Sequence, residues 1–340
     1  MLYPGSLTPE TIYLPHKPHS PLSYRLVPGE GPQAFSHLIV FLNGLILTQD
    51  SWVGTLQELD RIWTEKMIDY DVNHPPLLSY DRYGQGASAR DPADDASDDG
   101  THDIREVVSD LYKFVHHFYH KKILPSSQSQ DTARSEDMPR LILVAHSIGC
   151  VIARLFAATF PRVVHGLLLL DSNIANSDLV SIFPDPDAPD FDPKDLPDDV
   201  TVAELRRVRE EYRARFHPSV PNPEHLDRRN IATLLPAADA PKLVAFGDGG
   251  PALTVVEHDW DYFAQECLDG SMRVPKSLTN KYMNPAWRKY HEGLVHITEP
   301  SKAWGPVTAT ECGHNIQTRL DIMVAFMTDD LLSRVRDWKT

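Results

Sequence analysis

Apolar positions along this chain follow two alternating patterns. Uninterrupted apolar runs, SHLIVFLNGL at 36–45, PPLLSYD at 75–81, LILVAH at 141–146, HGLLLLD at 165–171 and LTVVEHD at 253–259, read as strands buried on both faces of a sheet. Between them apolar residues recur at helical spacing, in SWVGTLQELDRIW from 51, DIREVVSDLYKFVHHFYHKKIL at 103–124 and VIARLFAATF from 151. The second of these carries basic residues near its end, where they suit the helix dipole. Two shorter β-rich runs come first, ETIYLP at 10–15 and LSYRLV at 22–27, and GPVTATECG near the end leads into an amphipathic helix, RLDIMVAFMTDDLLSRV. Strands alternating with helices imply right-handed crossovers and a mostly parallel central sheet flanked by helices, an α/β fold. No internal repeat is visible.

The rhythm breaks in three places. YGQGASARDPADDASDDG at 83–100 is rich in Gly, Asp and Ala and reads as a loop. PSSQSQDTARSEDMP at 125–139 has the composition of a flexible surface insertion. From 176 to 240 a proline and aspartate loop, FPDPDAPDFDPKDLPDD, runs into the charged helix VAELRRVREEYRARF. Placed between two core strands, this segment reads as a helical cap over an active site. The expected division is a core of residues 1–175 and 241–340 with a cap of 176–240.

Composition narrows the partners. A net charge of −15 repels phosphate backbones and anionic membrane surfaces, since binding either relies on clustered Lys and Arg. Cys150, Cys267 and Cys312 form an odd, sparse set without CxxC spacing, which suits a reducing compartment. The first 20 residues contain no apolar signal core, and no apolar run nears the roughly 20 residues that a bilayer span needs. The expectation is a soluble cytoplasmic protein acting on a small molecule, without nucleic acid or membrane as partner; a homo-oligomer is possible but not indicated.

The segment richest in chemistry is LILVAHSIGCVIARLFA, where a buried strand runs into Ala145-His146-Ser147-Ile148-Gly149 and then into a helix. A serine nucleophile held on a sharp turn requires this strand, turn and helix context. Small residues at 145 and 149 leave room for that turn. The helix beginning after Ser147 points its positive end at the site, and the Ile148 amide is placed to donate to a developing oxyanion. A serine capping a helix is the plainer reading of this segment.

Further segments carry a resemblance. Asn43-Gly44-Leu45 looks like a His-Gly-x oxyanion loop with Asn for His. YDRYGQGAS at 80–88 resembles a D-x-R-G-x-G-x-S segment with Tyr83 inserted, and Cys312-Gly313-His314 resembles a late loop that delivers a catalytic histidine. With AHSIG as elbow, in this order along nearly the whole chain, the sequence resembles the α/β-hydrolase superfamily. The resemblance implies an α/β-hydrolase fold, Ser147 as nucleophile, His314 as its base, and the amides of Leu45 and Ile148 as the oxyanion hole. It implies no metal and no cofactor.

The acid stays open between Asp171, at the end of the strand after the elbow, and Asp259, after the following strand. Asp248 and Asp261 stand behind them. The usual Gly-x-x-Asp is absent there, Glu257 standing at the Gly position and Trp260 at that of the acid. His146 adjoins the nucleophile, but its side chain should project elsewhere. His116, His117 and His120 form HHxxH on one helix, a spacing able to bind zinc, yet without a third ligand it reads as a solvated face. Phe183, Phe191, Tyr212, Trp260, Tyr262, Phe263 and Trp287 are either the lining of an apolar pocket or ordinary core. The expected activity is hydrolysis of a carboxylic ester, lactone or thioester of a medium-sized, partly apolar molecule through an acyl-enzyme. Acyl transfer to an alcohol, lyase or isomerase chemistry, and a non-catalytic hydrolase-like binding protein are the alternatives.

Overall fold

The computed structural model describes residues 7–67, 73–124, 138–245 and 249–337. Ten strands form in chain order: β1 Glu10–Leu14, β2 Lys17–Val27, β3 His37–Leu42, β4 Leu77–Tyr80, β5 His102–Asp103, β6 Arg140–His146, β7 Val164–Leu170, β8 Leu226–Asp227, β9 Ala252–His258 and β10 Ala303–Ala309. Eight of them build one sheet, ordered β1-β2-β4-β3-β6-β7-β9-β10, and the two-residue strands β5 and β8 pair separately. From β4 across to β10 every pairing is parallel, while β1 with β2 and β2 with β4 are antiparallel. The mostly parallel α/β sheet expected from the apolar runs is present.

Those runs are continuous because both faces of the sheet are covered. Leu38, Val40, Leu141, Leu143, Leu167 and Leu169 face one hydrophobic layer, while Ile39, Phe41, Ile142, Val144, Leu168 and Leu170 face the other. On the first layer lie helices α2 (Ile104–Phe118) and α3 (Ile148–Thr159), on the second α1 (Val53–Met67) and α10 (Asp321–Asp337). Alternating side chains of one strand thus enter separate cores.

Between β7 and β9 the chain forms α4 (Val202–Arg215) and the short α5 (Ile231–Leu234). Leu205, Val208 and Tyr212 of α4 are buried with Phe183, whose ring meets that of Tyr212 edge-on at 4.9 Å. The segment joins the loops beyond the C-terminal ends of the strands. His225 accepts from the His102 amide, 3.0 Å away, and Arg207 donates to the carbonyls of Met272 and Arg273. Between β9 and β10 come three more helices, α6 (Trp260–Asp269), α7 (Lys276–Leu278) and α8 (Asn284–Leu294), which the apolar pattern did not announce. A last short helix, α9 (Ile316–Arg319), precedes α10. The polar insertion at 125–139 lies, but for its last two residues, outside the described residues. Among the described residues no helix is long and apolar enough to cross a membrane.

Candidate active site

β6 delivers Ser147 and α3 leaves it. Ser147 sits at φ 55, ψ −120, a conformation that costs an L-residue about 1–3 kcal/mol and persists only where the surroundings impose it. They do: its amide donates to the Leu170 carbonyl at 3.1 Å, and its carbonyl accepts from Cys150 and Asn173 at 3.0 and 3.2 Å. Gly149 is required by close approach, because a Cβ there would lie 2.5 Å from the Leu42 carbonyl oxygen. Ala145, by contrast, is fully buried with its methyl group accommodated, which explains why the elbow tolerates Ala in place of a first Gly.

His314 reaches Ser147 from the loop between β10 and α9. Its Nε2 lies 3.0 Å from Ser147 Oγ and its Nδ1 2.6 Å from Asp171 Oδ2. Asp171 follows β7 at φ 43 and is completely buried. Burial alone would push its carboxyl up, but His258 and then His314 beside it hold it well below the usual carboxylate range. The resulting path, hydroxyl to imidazole to carboxylate, can move a proton from Ser147 to Nε2 and stabilise the imidazolium formed. His146 points away from Ser147, yet it supports the base: its Nε2 lies 2.8 Å from the His314 carbonyl and its Nδ1 3.2 Å from Gln317 Nε2.

The loop after β3 closes the other side. Asn43 donates to the Tyr80 carbonyl at 3.0 Å and accepts from Trp52 Nε1 at 2.8 Å. Arg82 donates to the carbonyls of Asn43 and Gly44 at 2.8 and 3.1 Å. Gln85 also donates to the Gly44 carbonyl, at 2.9 Å. Both Arg82 and Gln85 hold buried Glu224 at 2.8 Å, and the Ile46 amide donates to the same carboxylate. A Cβ on Gly44 would lie 2.7 Å from the His146 ring, so the loop packs directly on the elbow. Among the described residues the amides of Leu45 and Ile148 make no backbone hydrogen bond in the turns and loops around the site.

A narrow cavity borders Ile148. Asn173, Ala175, Leu179, Phe216 and Arg228 help line it, and it holds only about 30 Å³ of water-sized space. It shares Ser177, Pro218, Arg229 and Ala232 with an open cleft of about 490 Å³ that also includes Asp178 and His217.

The family model described as "Alpha/beta hydrolase family" matches residues 39–325. The chain belongs to that family. Among solved structures it is similar to an esterase from Thermogutta terrifontis, at 15% identity and TM-score 0.53, covering 96% of this chain and 99% of that one. Mouse alpha/beta hydrolase domain-containing protein 10 shares 12% identity at TM-score 0.51, with 96% and 99% covered. A Vigna radiata epoxide hydrolase shares 13% at TM-score 0.53, with 97% and 99% covered. At such identities these likenesses show the α/β-hydrolase fold alone. No curated protein matches the sequence.

Within this hydrolase fold Ser147, His314 and Asp171 meet, and the other acid candidates do not join them. Asp259 caps α6, accepting from the amides of Tyr262 and Glu311 at 3.1 and 3.2 Å. Asp261 is exposed, and Asp248 lies outside the described residues. The aromatic residues are not the lining of the cavity at Ile148, where Phe216 is the aromatic contact. Phe183 and Tyr212 pack on each other, Trp260 and Tyr262 lie against Arg288 and Arg319, and Trp287 donates to the Ser172 carbonyl at 2.8 Å. They serve as core and bracing because the segment must bury apolar surface of its own. Among the described residues no three or more His, Cys, Asp or Glu are grouped to hold a metal. Sequence reasoning missed His258, Asn284 and Glu224. The acidic residue at 224 and the Arg in YDRYG carry no spacing signal that links them, since they are 142 residues apart.

Proposed function

We propose that this hydrolase cleaves a carboxylic ester, lactone or thioester through a serine acyl-enzyme. The observation that carries the reading is the path from Ser147 Oγ through His314 to Asp171, at 3.0 and 2.6 Å, starting from a serine held at positive φ. Ser147 Oγ attacks the carbonyl carbon while His314 Nε2 takes its proton. The tetrahedral oxyanion then accepts from the amides of Leu45 and Ile148. As the intermediate collapses, Nε2 returns the proton to the leaving oxygen or sulfur, and water repeats the sequence to free the acid.

The nucleophile also decides between chemistries. A serine that opened an epoxide would be left as an ether, which water does not hydrolyse under these conditions, whereas a serine ester is released by the same base. Carbonyl substrates are therefore favoured over epoxides. The narrow cavity at Ile148 holds little more than a water or two. The adjoining open cleft of about 490 Å³ is the side from which a medium-sized acyl group would approach.

The test is intact-mass analysis after treatment with a fluorophosphonate probe. One adduct on the wild type, absent in Ser147→Ala and His314→Ala, is the expected result. Labelling that persists in folded Ser147→Ala would overturn the reading.

A further inference from the structure

Asp171 has a second imidazole. His258 Nδ1 lies 2.9 and 3.0 Å from its carboxylate oxygens, and the His258 backbone amide donates to Oδ1 at 3.2 Å. On the far side of the ring, Nε2 lies 3.2 Å from Asn284 Oδ1. The other end of that amide fixes its orientation: Asn284 Nδ2 donates to the Trp260 carbonyl at 3.0 Å, and a carbonyl only accepts. The atom turned toward Nε2 is therefore an acceptor. A neutral imidazole carries one N–H. A ring set between a carboxylate and an amide oxygen needs two, and this ring is buried away from solvent.

We infer that His258 is held as an imidazolium and acts as a positioning residue, a fixed cation that shares Asp171 with His314. The inference rests on Ser147, His314 and Asp171 forming the triad. The surroundings are consistent with a positive charge at this point. Burial works against the cation, but the contact with Asp171 outweighs it and raises the affinity of His258 for its proton. Glu257 and Asp259 adjoin it in sequence, and both interact with it electrostatically. From α8, Arg288 faces Glu257, and His291 is kept neutral by burial, its affinity for a proton pushed down to about 4. From α6, the Phe263 ring lies against it, tilted by 32° with centroids 4.2 Å apart, and Trp287 of α8 meets it edge-on at 5.3 Å.

Two consequences follow for the base. Three donors, from His314 Nδ1, His258 Nδ1 and the His258 amide, fix the carboxylate in one orientation. The cation also cancels part of the negative field that Asp171 exerts on His314. Activity therefore extends to lower pH than it would with an unshared carboxylate, at the cost of weaker stabilisation of the transient imidazolium.

The experiment is a long-range proton–nitrogen correlation spectrum of the full chain carrying isotope-labelled histidine, on both the wild type and Ser147→Ala, with His258 assigned through His258→Gln. Both ring nitrogens of His258 should show protonated shifts at neutral pH and keep them above the ordinary histidine range. A pyridine-type nitrogen on His258 at neutral pH would overturn the inference. A second measurement is the pH dependence of the fluorophosphonate labelling rate in the wild type and His258→Gln. The acid limb should move to higher pH in the variant, whereas a loss of rate that is uniform at all pH would reduce His258 to a structural group. The spectrum does not depend on turnover. A doubly protonated His258 in a folded protein that never labels at Ser147 would sink the triad reading and not the charge, while a neutral His258 in a protein that labels normally would sink this inference alone.

Discussion

The two ends of the site are built from different materials. At the Ser147 end the geometry is set by backbone: Ser147 is fixed by its own amide and carbonyl and by the space at Gly149. At the Asp171 end it is set by side chains from distant segments, with His314 and His258 converging on Asp171 and Asn284 on the far side of the His258 ring. A backbone site needs only a short stretch of suitable residues. A side-chain site needs every contributing element docked, so it carries more charge, more hydrogen bonds and more ways to fail.

The comparison can be broken first at the chemistry. Ser147→Ala should lower kcat/KM on an ester substrate by at least about 10,000-fold with the fold intact by circular dichroism. Asp171→Asn should cost about 1,000- to 10,000-fold by leaving His314 misoriented. Asp259→Ala should lose about 1 kcal/mol of stability as a helix cap and change kcat/KM less than about threefold. A large kinetic loss at Asp259 with little at Asp171 would transfer the acid's role.

Next in size is the buried Arg82–Glu224 pair, which ties the segment before α5 to the loop after β3. Glu224→Gln leaves the buried Arg82 guanidinium without its counter-charge and should cost about 3 kcal/mol by urea unfolding. If the loop it holds acts on the oxyanion as proposed, the variant should also lower kcat more than it raises KM.

Smaller is the effect of pH on stability. Burial holds the affinities of His146 and His291 for a proton down, to about 3 and about 4, against about 6.5 in an unfolded chain. Between those values the unfolded state binds more protons, so their contribution is complete above the unfolded value and is lost as pH falls below it. His258, whose value is raised, acts in the opposite sense: its contribution is full below the unfolded value and declines as pH rises through the folded one. His291→Leu should therefore flatten the fall of Tm between about pH 6.5 and pH 4, measured by thermal unfolding in a buffer series. The smallest effect tests the backbone end directly: Ile148→Val, which keeps the amide, should change kcat/KM less than about threefold. A hundredfold loss there would mean that the side chain takes part.

Legibility in the sequence followed the same division. The elbow was readable because strand, turn and helix are contiguous at 141–157, and the two-sided sheet because each buried strand is one apolar run. Asp171 and Asp259 could not be separated by spacing alone. What separates them is that the carboxylate of Asp259 faces the start of α6 while Asp171 turns, at φ 43, under the His314 loop. The helices between β9 and β10 went unread although α8 is amphipathic, and with them went Asn284, Trp287 and His291, the residues that α8 turns toward His258, the Ser172 carbonyl and Asp171 in that order.

By itself, then, the sequence determined the α/β sheet, the serine on its sharp turn and the loops that carry His314 and Asn43-Gly44-Leu45, because each depends on neighbours within a few residues. Only the tertiary structure decided which carboxylate meets His314, that this carboxylate is shared with His258, and that Glu224 reaches back to the loop after β3. Those choices rest on hydrogen bonds and charges between residues far apart in the chain, whose pairing is fixed when helices and sheet dock and is written in no local pattern.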